Sequence, residues 1–154
     1  MKLKHLFGSV FLTPKEKVEN ILKKYQIENY TINTDLSVDV DGNIDFRFAD
    51  LKIIPAKFGK VTGSFNCSNQ QLTTLQGCPK EVGGDFYCYN NNLTSLEGAP
   101  KEVGGDFSCE NNKLETLQGC PRDIGGEFNC SKNPHLKSLD GVGNVGEQII
   151  SDIS

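Results

Sequence analysis

The residues of this sequence that could carry chemistry are its cysteines, and they recur at fixed intervals. The 154 residues include six cysteines and two histidines. Cys78 and Cys120 occupy one position of a repeating pattern, and the copy between them has Ala99 there. This exchange with alanine favours small core side chains, because a free cysteine packs as a small apolar group. The other four cysteines follow one another every 21 residues: Cys67, Cys88, Cys109 and Cys130.

The cysteines and histidines do not form the pattern of a metal site or an active site. The sequence has no C-x-x-C pair and no histidine at zinc-ligand spacing from a cysteine. His5 and His135 stand without a serine, cysteine or acidic partner in a pattern typical of catalysis. We therefore expect packed thiols, no catalytic residues, no metal site and no cofactor.

Paired glycines could form a phosphate-binding loop, but their context favours a tight corner. The pairs recur at 83–84, 104–105 and 125–126. They are not followed by Gly-Lys-Ser/Thr, nor do they form a G-x-G-x-x-G loop between a strand and a helix. A sharp backbone turn once per repeat explains them, because glycine adopts backbone conformations that other residues avoid.

A repeat of 21 residues positions all of these side chains. Its pattern is Phe-x-Cys-x-x-Asn-x-Leu-x-x-Leu, as in residues 86–96, and its phenylalanines are Phe65, Phe86, Phe107 and Phe128. A fixed period of about 20–29 residues is typical of leucine-rich-repeat solenoids. The pattern resembles the leucine-rich repeat L-x-L-x-x-N-x-L over about residues 44–142. Its short form with Leu-Thr-Ser-Leu and a following proline is similar to bacterial repeats of that superfamily. The Val-Gly-Gly-Asp-Phe variant resembles repeat proteins of bacteriophages.

The same pattern has a direct physical interpretation. Alternation at Phe-x-Cys predicts a short strand with Phe and Cys inward, and successive copies would lie alongside at about 4.8 Å in a parallel sheet. Asn91, Asn112 and Asn133, with Gln70 in the first copy, fall where the strand ends. A buried amide there can bond backbone groups of adjacent turns. The predicted fold class is α+β, a leucine-rich-repeat-like solenoid with a parallel β-sheet of about five to six turns.

The N-terminal region is predicted to cap this solenoid. Thr13-Pro14-Lys15-Glu16 forms a capping box, and an apolar face follows, so we expect an amphipathic helix over 14–25. The helix could instead bind a partner, but covering the first turn is the favoured interpretation. The apolar face consists of Val18, Ile21, Leu22 and Tyr25.

Asp41-Gly42 separates two alternating runs, 36–40 and 44–48, which predicts a β-hairpin. Ile44 lies 21 residues before Phe65, so the second run should merge into a degenerate first turn. We expect a cap over 1–43 and a solenoid over 44–154, together forming one structural domain. At Pro134-His135 the spacing slips by one residue, and a closing cap is predicted from Val142, Val145, Ile149, Ile150 and Ile153.

Charge and hydropathy restrict the class of partner. The formal net charge of −4 argues against nonspecific binding to nucleic acid or to an anionic membrane. No apolar run approaches the length of a membrane span. Met1–Leu12 lacks a small-x-small cleavage site and is interpreted as ordinary N-terminal structure. We expect a cytoplasmic protein with reduced thiols, in the bacterial host if it is encoded by a phage.

The exposed face of the strands is the predicted binding surface, because solenoids usually bind there and because its residues vary between copies. Tyr87 and Tyr89 are adjacent outward positions of a central strand, and tyrosine is enriched at interface hot spots. They could also serve as filler between their polar neighbours. The opposite side bears Lys80-Glu81, Lys101-Glu102 and Arg122-Asp123, whose columns we expect to pair diagonally between turns. The candidate partner-binding residues are Tyr87, Tyr89, Asp85, Asp106, Glu110, Glu127, Arg47, Ser108, Asn66 and Asn129.

The residues of the sequence support three classes of function to different degrees. The first is a non-catalytic protein-binding module for a protein with a basic, partly apolar patch; a homo-oligomer is compatible with the sequence. The phage resemblance implies a bacterial defence or stress protein that is occluded. The second is sequestration of a small ligand such as a nucleotide signal, which needs a cationic pocket, whereas Arg47 and Lys132 lie at opposite ends of the face. The third, an enzyme, has no supporting residues.

Overall fold

The structure, a computed structural model, describes residues 11–154. Helix α1 spans Pro14–Lys24, within the range that the sequence predicts. Thr13 accepts the backbone N–H of Glu16 at 3.1 Å, and the Glu16 carboxylate accepts the backbone N–H of Thr13 at 2.9 Å. Both bonds of the predicted capping box are therefore present. The interpretation of Met1–Leu12 falls mostly outside the described residues, and so does His5.

The helix covers the first turn of the solenoid. Leu22 is fully buried, and Val18 and Tyr25 pack against the core. The Tyr25 ring meets the Phe46 ring edge-on with centroids 5.4 Å apart. The capping role of the helix therefore rests on packing of its apolar face, as expected for an end turn that would otherwise expose core side chains.

The chain forms two sheets rather than one, and all of their strands except β1 pair in parallel. Sheet 1 has seven strands in the order β1-β2-β4-β6-β8-β10-β12, and sheet 2 has six in the order β13-β11-β9-β7-β5-β3. The strands of sheet 1 are β1 Tyr30–Ile32, β2 Val38–Val40, β4 Phe58–Val61, β6 Glu81–Val82, β8 Glu102–Val103, β10 Asp123–Ile124 and β12 Asn144–Val145. Those of sheet 2 are β3 Ile44–Asp45, β5 Phe65–Asn66, β7 Phe86–Tyr87, β9 Phe107–Ser108, β11 Phe128–Asn129 and β13 Ile149–Ile150. The predicted parallel solenoid is confirmed, and sheet 1 is an element that the sequence did not reveal.

The hairpin predicted across Asp41-Gly42 is wrong. The antiparallel pair is β1 with β2, whereas β3 joins sheet 2 and pairs in parallel with β5. Gly42 lies 21 residues before Gly63, so Asp41-Gly42 occupies the corner that the glycine pairs form later. The two alternating runs face one core from two different sheets, which produces the same alternation as a hairpin would.

The core is built of identical side chains stacked turn upon turn. Phe65, Phe86, Phe107 and Phe128 are fully buried, and consecutive rings lie 5.1–5.7 Å apart. The inward direction predicted for the thiols is confirmed, since Cys67, Cys88 and Cys109 are fully buried and Cys130 nearly so. The glycine corners are tight as well: a Cβ at Gly104 would collide with the carbonyl oxygen of Gly83.

A column of buried amides links successive turns. The side-chain nitrogen of Asn112 donates to the carbonyls of Cys109 in its own turn and Cys88 in the preceding turn, both at 3.0 Å. Its oxygen accepts the backbone N–H of Leu93 at 3.0 Å. Asn91 and Asn133 repeat this arrangement, as the sequence predicts.

The C-terminal segment forms a further turn instead of a separate closing cap. Strands β12 and β13 continue sheets 1 and 2 in parallel register, with Asp123 opposite Asn144 and Phe128 opposite Ile149. The one-residue slip at Pro134-His135 is therefore compensated before β12. Ile149 at this end keeps 40% of its surface exposed.

Candidate functional site

The candidate site is the outer face of sheet 2, where the structure gathers the residues selected from the sequence. Parallel register places Asn66, Tyr87, Ser108 and Asn129 in one column across the sheet. Phe86 and Phe107 alternate with them and point into the core. The alternation that selected these residues is therefore correct for each central strand.

Tyr87 and Tyr89 form an aromatic pair on this face. Their ring centroids are 6.0 Å apart with an interplanar angle of 62°, and both side chains are half-buried. The Tyr87 hydroxyl donates to a carboxylate oxygen of Asp85 at 3.1 Å. Burial, and then this hydrogen bond and the negative charge of Asp85, raise the pKa of Tyr87 to about 12. Tyr87 is therefore a neutral hydrogen-bond donor at physiological pH.

The acidic residues on one side of the tyrosines have a structural role that the sequence did not indicate. Oδ1 of Asp85 accepts the backbone N–H of Asp106 at 2.8 Å, and Oδ1 of Asp106 accepts that of Glu127 at 2.8 Å. The series begins at Oδ1 of Asn43, which accepts the backbone N–H of Ser64 at 2.8 Å, and the Ser64 hydroxyl in turn accepts that of Asp85 at 3.0 Å. A Cβ at Gly105 would collide with Oδ1 of Asp85, so the second glycine of each pair makes room for the bond. Asp106 thus keeps its second oxygen for other contacts, whereas the second oxygen of Asp85 accepts the Tyr87 hydroxyl.

The two cations of the face are both neutralised. Arg47 binds Asp45 through two nitrogens, with contacts of 2.8–3.2 Å. This pair lowers the pKa of Asp45 and raises that of Arg47. Lys132 binds Glu110 at 2.7 Å, and this contact raises the pKa of Lys132. The net effect is an acidic face without a free cation among the described residues that form it.

Phe48 belongs to the same region and was missed in the sequence. Its side chain is 92% exposed, and the guanidinium carbon of Arg47 lies 5.7 Å from its ring centroid. Such exposure is unusual for a large aromatic residue. The sequence does contain a signal for Phe48. It precedes Asn69 by 21 residues, and the later copies have Asn90 and Asn111 at the same position, so a phenylalanine there replaces a polar residue.

Polar residues of the face are held by local hydrogen bonds. Oδ1 of Asn66 accepts the backbone N–H of Ser68, and Oδ1 of Asn129 accepts that of Ser131, both at 3.0 Å. The Ser131 hydroxyl also donates to Asn129 at 2.7 Å. The Ser68 hydroxyl is fully buried, without a hydrogen-bond partner in the described part of the chain. Asn66 and Asn129 are thus fixed in place and present a preorganised surface.

The thiols are arranged for packing rather than for reaction. Burial raises the pKa of Cys78, Cys88 and Cys109 well above the ordinary value, which disfavours the reactive thiolate. Within residues 11–154, no three His, Cys, Asp or Glu side chains lie close enough together to hold a metal ion. The same part of the chain contains no helix with the length and apolarity needed to cross a membrane.

Comparison with known proteins gives no further assignment. No protein-family model matches the chain, and no significant match was found among curated proteins or solved structures.

Proposed function

We propose that this chain is a non-catalytic protein-binding module whose binding surface is the outer face of sheet 2. One observation carries the proposal: Phe48, Tyr87 and Tyr89 present aromatic surface on an otherwise polar, hydrogen-bonded sheet. Aromatic residues supply large contact area at a small loss of conformational entropy, which is why they concentrate at interface hot spots. A flat, preorganised sheet loses little further entropy on binding.

The charges of the face favour a basic partner. The carboxylates of Asp85 and Asp106 lie beside the tyrosines, and Asp106 keeps its second oxygen for further contacts, while Arg47 is already paired with Asp45. A lysine or arginine of the partner can lie against the Tyr87–Tyr89 pair, where a cation is attracted by the aromatic faces and by the neighbouring carboxylates. The partner therefore has a basic, partly apolar patch.

The repeats support a bacterial setting for this interaction. Their pattern resembles bacterial leucine-rich repeats and repeat proteins of bacteriophages, and such an origin supports a bacterial defence or stress protein as the partner. A module without catalytic residues acts on such a partner by occlusion. Sequestration of a nucleotide signal has weaker support, because Arg47 and Lys132 are both engaged with carboxylates.

The proposal is tested by capturing the partner from a bacterial lysate with the full chain and identifying it by mass spectrometry. Tyr87→Ala with Tyr89→Ala should lose the captured protein, and Phe48→Ala should weaken its binding. Tyr30→Ala is the matched control, since Tyr30 is a 38% exposed tyrosine on the edge strand of sheet 1. Equal capture by the double variant, with the fold intact by circular dichroism, would exclude this surface.

A further inference from the structure

A groove at one corner of the solenoid combines small residues with lysines. It has a volume of about 430 Å³ and crosses three successive turns. Its floor is formed by small residues and its rim by lysines. None of these residues belongs to the proposed binding face of sheet 2. The floor includes Gly77, Cys78, Gly98 and Ala99, and the rim consists of Lys57, Lys80 and Lys101.

The floor is held open by backbone geometry. Gly77 and Gly98 adopt positive φ angles of 95° and 92°, which side-chain-bearing residues rarely adopt. A Cβ at Gly77 would lie 2.7 Å from the carbonyl oxygen of Ala56 in the preceding turn. Cys78 is 6% exposed and Ala99 is half-buried, so the accessible floor is apolar and shallow.

Two rim lysines stand in one column with free ammonium groups. The backbone N–H of Lys80 donates to Gly59 at 2.7 Å, and that of Lys101 donates to Lys80 at 2.8 Å, which fixes their alignment. Adjacent turns of a sheet place such positions about 4.8 Å apart. Neither lysine forms an ion pair with any residue from 11 to 154. The third lysine of the rim, Lys57, forms an ion pair with Asp35 at 3.2 Å.

The diagonal pairing predicted between these columns is present for Arg122 with Glu102 but is wrong for Lys80 and Lys101. Glu81 faces Lys60 at 3.8 Å, directly across the sheet, and Glu102 is taken by Arg122. Arg122 also binds Asp123 at 3.0 Å. The equivalent rim position in the next turn, Arg122, is thus neutralised, whereas Lys80 and Lys101 keep their free charges at the edge of this groove.

We propose that this groove binds an extended peptide segment that alternates acidic and apolar residues. Apolar side chains would lie on the floor over Cys78 and Ala99, and neighbouring carboxylates would bind Lys80 and Lys101. An extended chain can follow a groove that crosses three successive turns, whereas a small molecule is normally enclosed on most sides. The net charge of −4 does not prevent this binding, because salt screens charges beyond about 8–10 Å.

The direct test uses the full, isotopically labelled chain and a defined probe, the acetylated peptide Glu-Val-Glu-Val-Glu-Val. Its addition should shift the amide signals of Gly77, Gly98 and Ala99 in a saturable way, with affinity that falls as salt is added. The peptide Gln-Val-Gln-Val-Gln-Val should bind about tenfold more weakly, because its contacts to the lysines are not charge-assisted. Shifts confined to the sheet 2 face would overturn the proposal.

Matched variants separate this site from general electrostatics. Lys80→Glu with Lys101→Glu should abolish binding of the acidic probe, and Ala99→Phe should reduce it by filling the floor. Lys113→Glu with Lys137→Glu is the control, since it makes the same change of charge at two exposed lysines outside the groove. Equal loss in the control would refute a specific groove, as would binding of hexanoate without binding of the peptide. Tyr87→Ala with Tyr89→Ala should retain the probe, so this result is independent of the partner-binding surface proposed above.

Discussion

Asp85 uses both of its carboxylate oxygens, and each serves a different purpose. One oxygen holds the backbone N–H of Asp106 in the next turn, and the other holds the Tyr87 hydroxyl. The side chain thus couples the scaffold to the orientation of an aromatic residue on the proposed binding face. Replacement of Asp85 is therefore expected to affect both stability and binding, whereas replacement of Tyr87 is expected to affect binding alone.

The ionisation of Tyr87 should report on this arrangement. Its pKa of about 12 lies above the ordinary value of 10, so the folded state favours the neutral phenol. The associated stability is fully present below pH 10 and is lost as pH rises through about 12. Asp85→Asn removes the neighbouring negative charge and should lower the pKa of Tyr87. The ultraviolet difference spectrum between the wild-type chain and Tyr87→Phe measures it, and an unchanged pKa in Asp85→Asn would contradict the coupling.

For single residues, the sequence predicts which face of the sheet a side chain occupies better than it predicts what the side chain binds. Outward alternation correctly placed Tyr87 and Tyr89, because strand periodicity determines which face a residue occupies. It could not show that Asp85 and Asp106 accept backbone N–H groups, since that depends on how closely successive turns approach at the glycine pairs. The repeat pattern does not single out Phe48, because the first turn departs from the sequence of the later copies.

The buried amide column is the element that ties one turn to the next. Each central asparagine satisfies carbonyls in two turns and one N–H of the preceding leucine. These backbone groups lie at the ends of two-residue strands, where the ladder itself is too short to pair them. The column therefore compensates for unusually short strands.

Asn112→Ala should be strongly destabilising. It leaves the carbonyls of Cys88 and Cys109 and the N–H of Leu93 without this partner, and a buried unpaired polar group costs about 1–3 kcal/mol. We expect a loss of roughly 3 kcal/mol or more in the free energy of unfolding, measured with urea. Asn92→Ala is the control, since the Asn92 side chain makes no hydrogen bond within the described residues. A loss of similar size in both variants would contradict the assigned role.

Helices and strands can be predicted where their sequence is periodic, whereas very short strands cannot be recognised from the sequence. The capping box and apolar face predicted α1 to within one residue at its C-terminal end. Strands such as Glu81–Val82 in sheet 1 contain two residues, which is too few to display alternation. Asp41-Gly42 was misassigned because a corner between two sheets and a hairpin turn both separate alternating runs.

As a whole, the molecule is held together by contacts between neighbouring turns. The stability of such a protein is approximately the sum of the stabilities of its turns and of the contacts between neighbouring turns. The same substitution should therefore have different consequences in a central turn and in a terminal turn. Helix α1 packs on the first turn and β1 pairs with β2, whereas the last turn, with half-exposed Ile149, has no covering element among the described residues. The C-terminal end should therefore open first.

Gly104→Ala and Gly146→Ala provide a matched comparison. The new Cβ would collide with a glycine carbonyl oxygen of the preceding turn in both cases, that of Gly83 or of Gly125. We expect Gly104→Ala to lower the global free energy of unfolding by about 1–3 kcal/mol, as overpacking does. Gly146→Ala should mainly raise hydrogen exchange in the last turn. Equal loss of global stability in the two variants would show that the chain unfolds as one cooperative unit.

The uniform register of the turns has an evolutionary consequence. Because Phe65, Phe86, Phe107 and Phe128 stack interchangeably, a gene segment encoding one unit can be duplicated or deleted without disturbing either junction. Each such event would lengthen or shorten the protein by about 4.8 Å. Recombination between units can thus adjust the reach of this protein in single steps while the column of phenylalanines is continued.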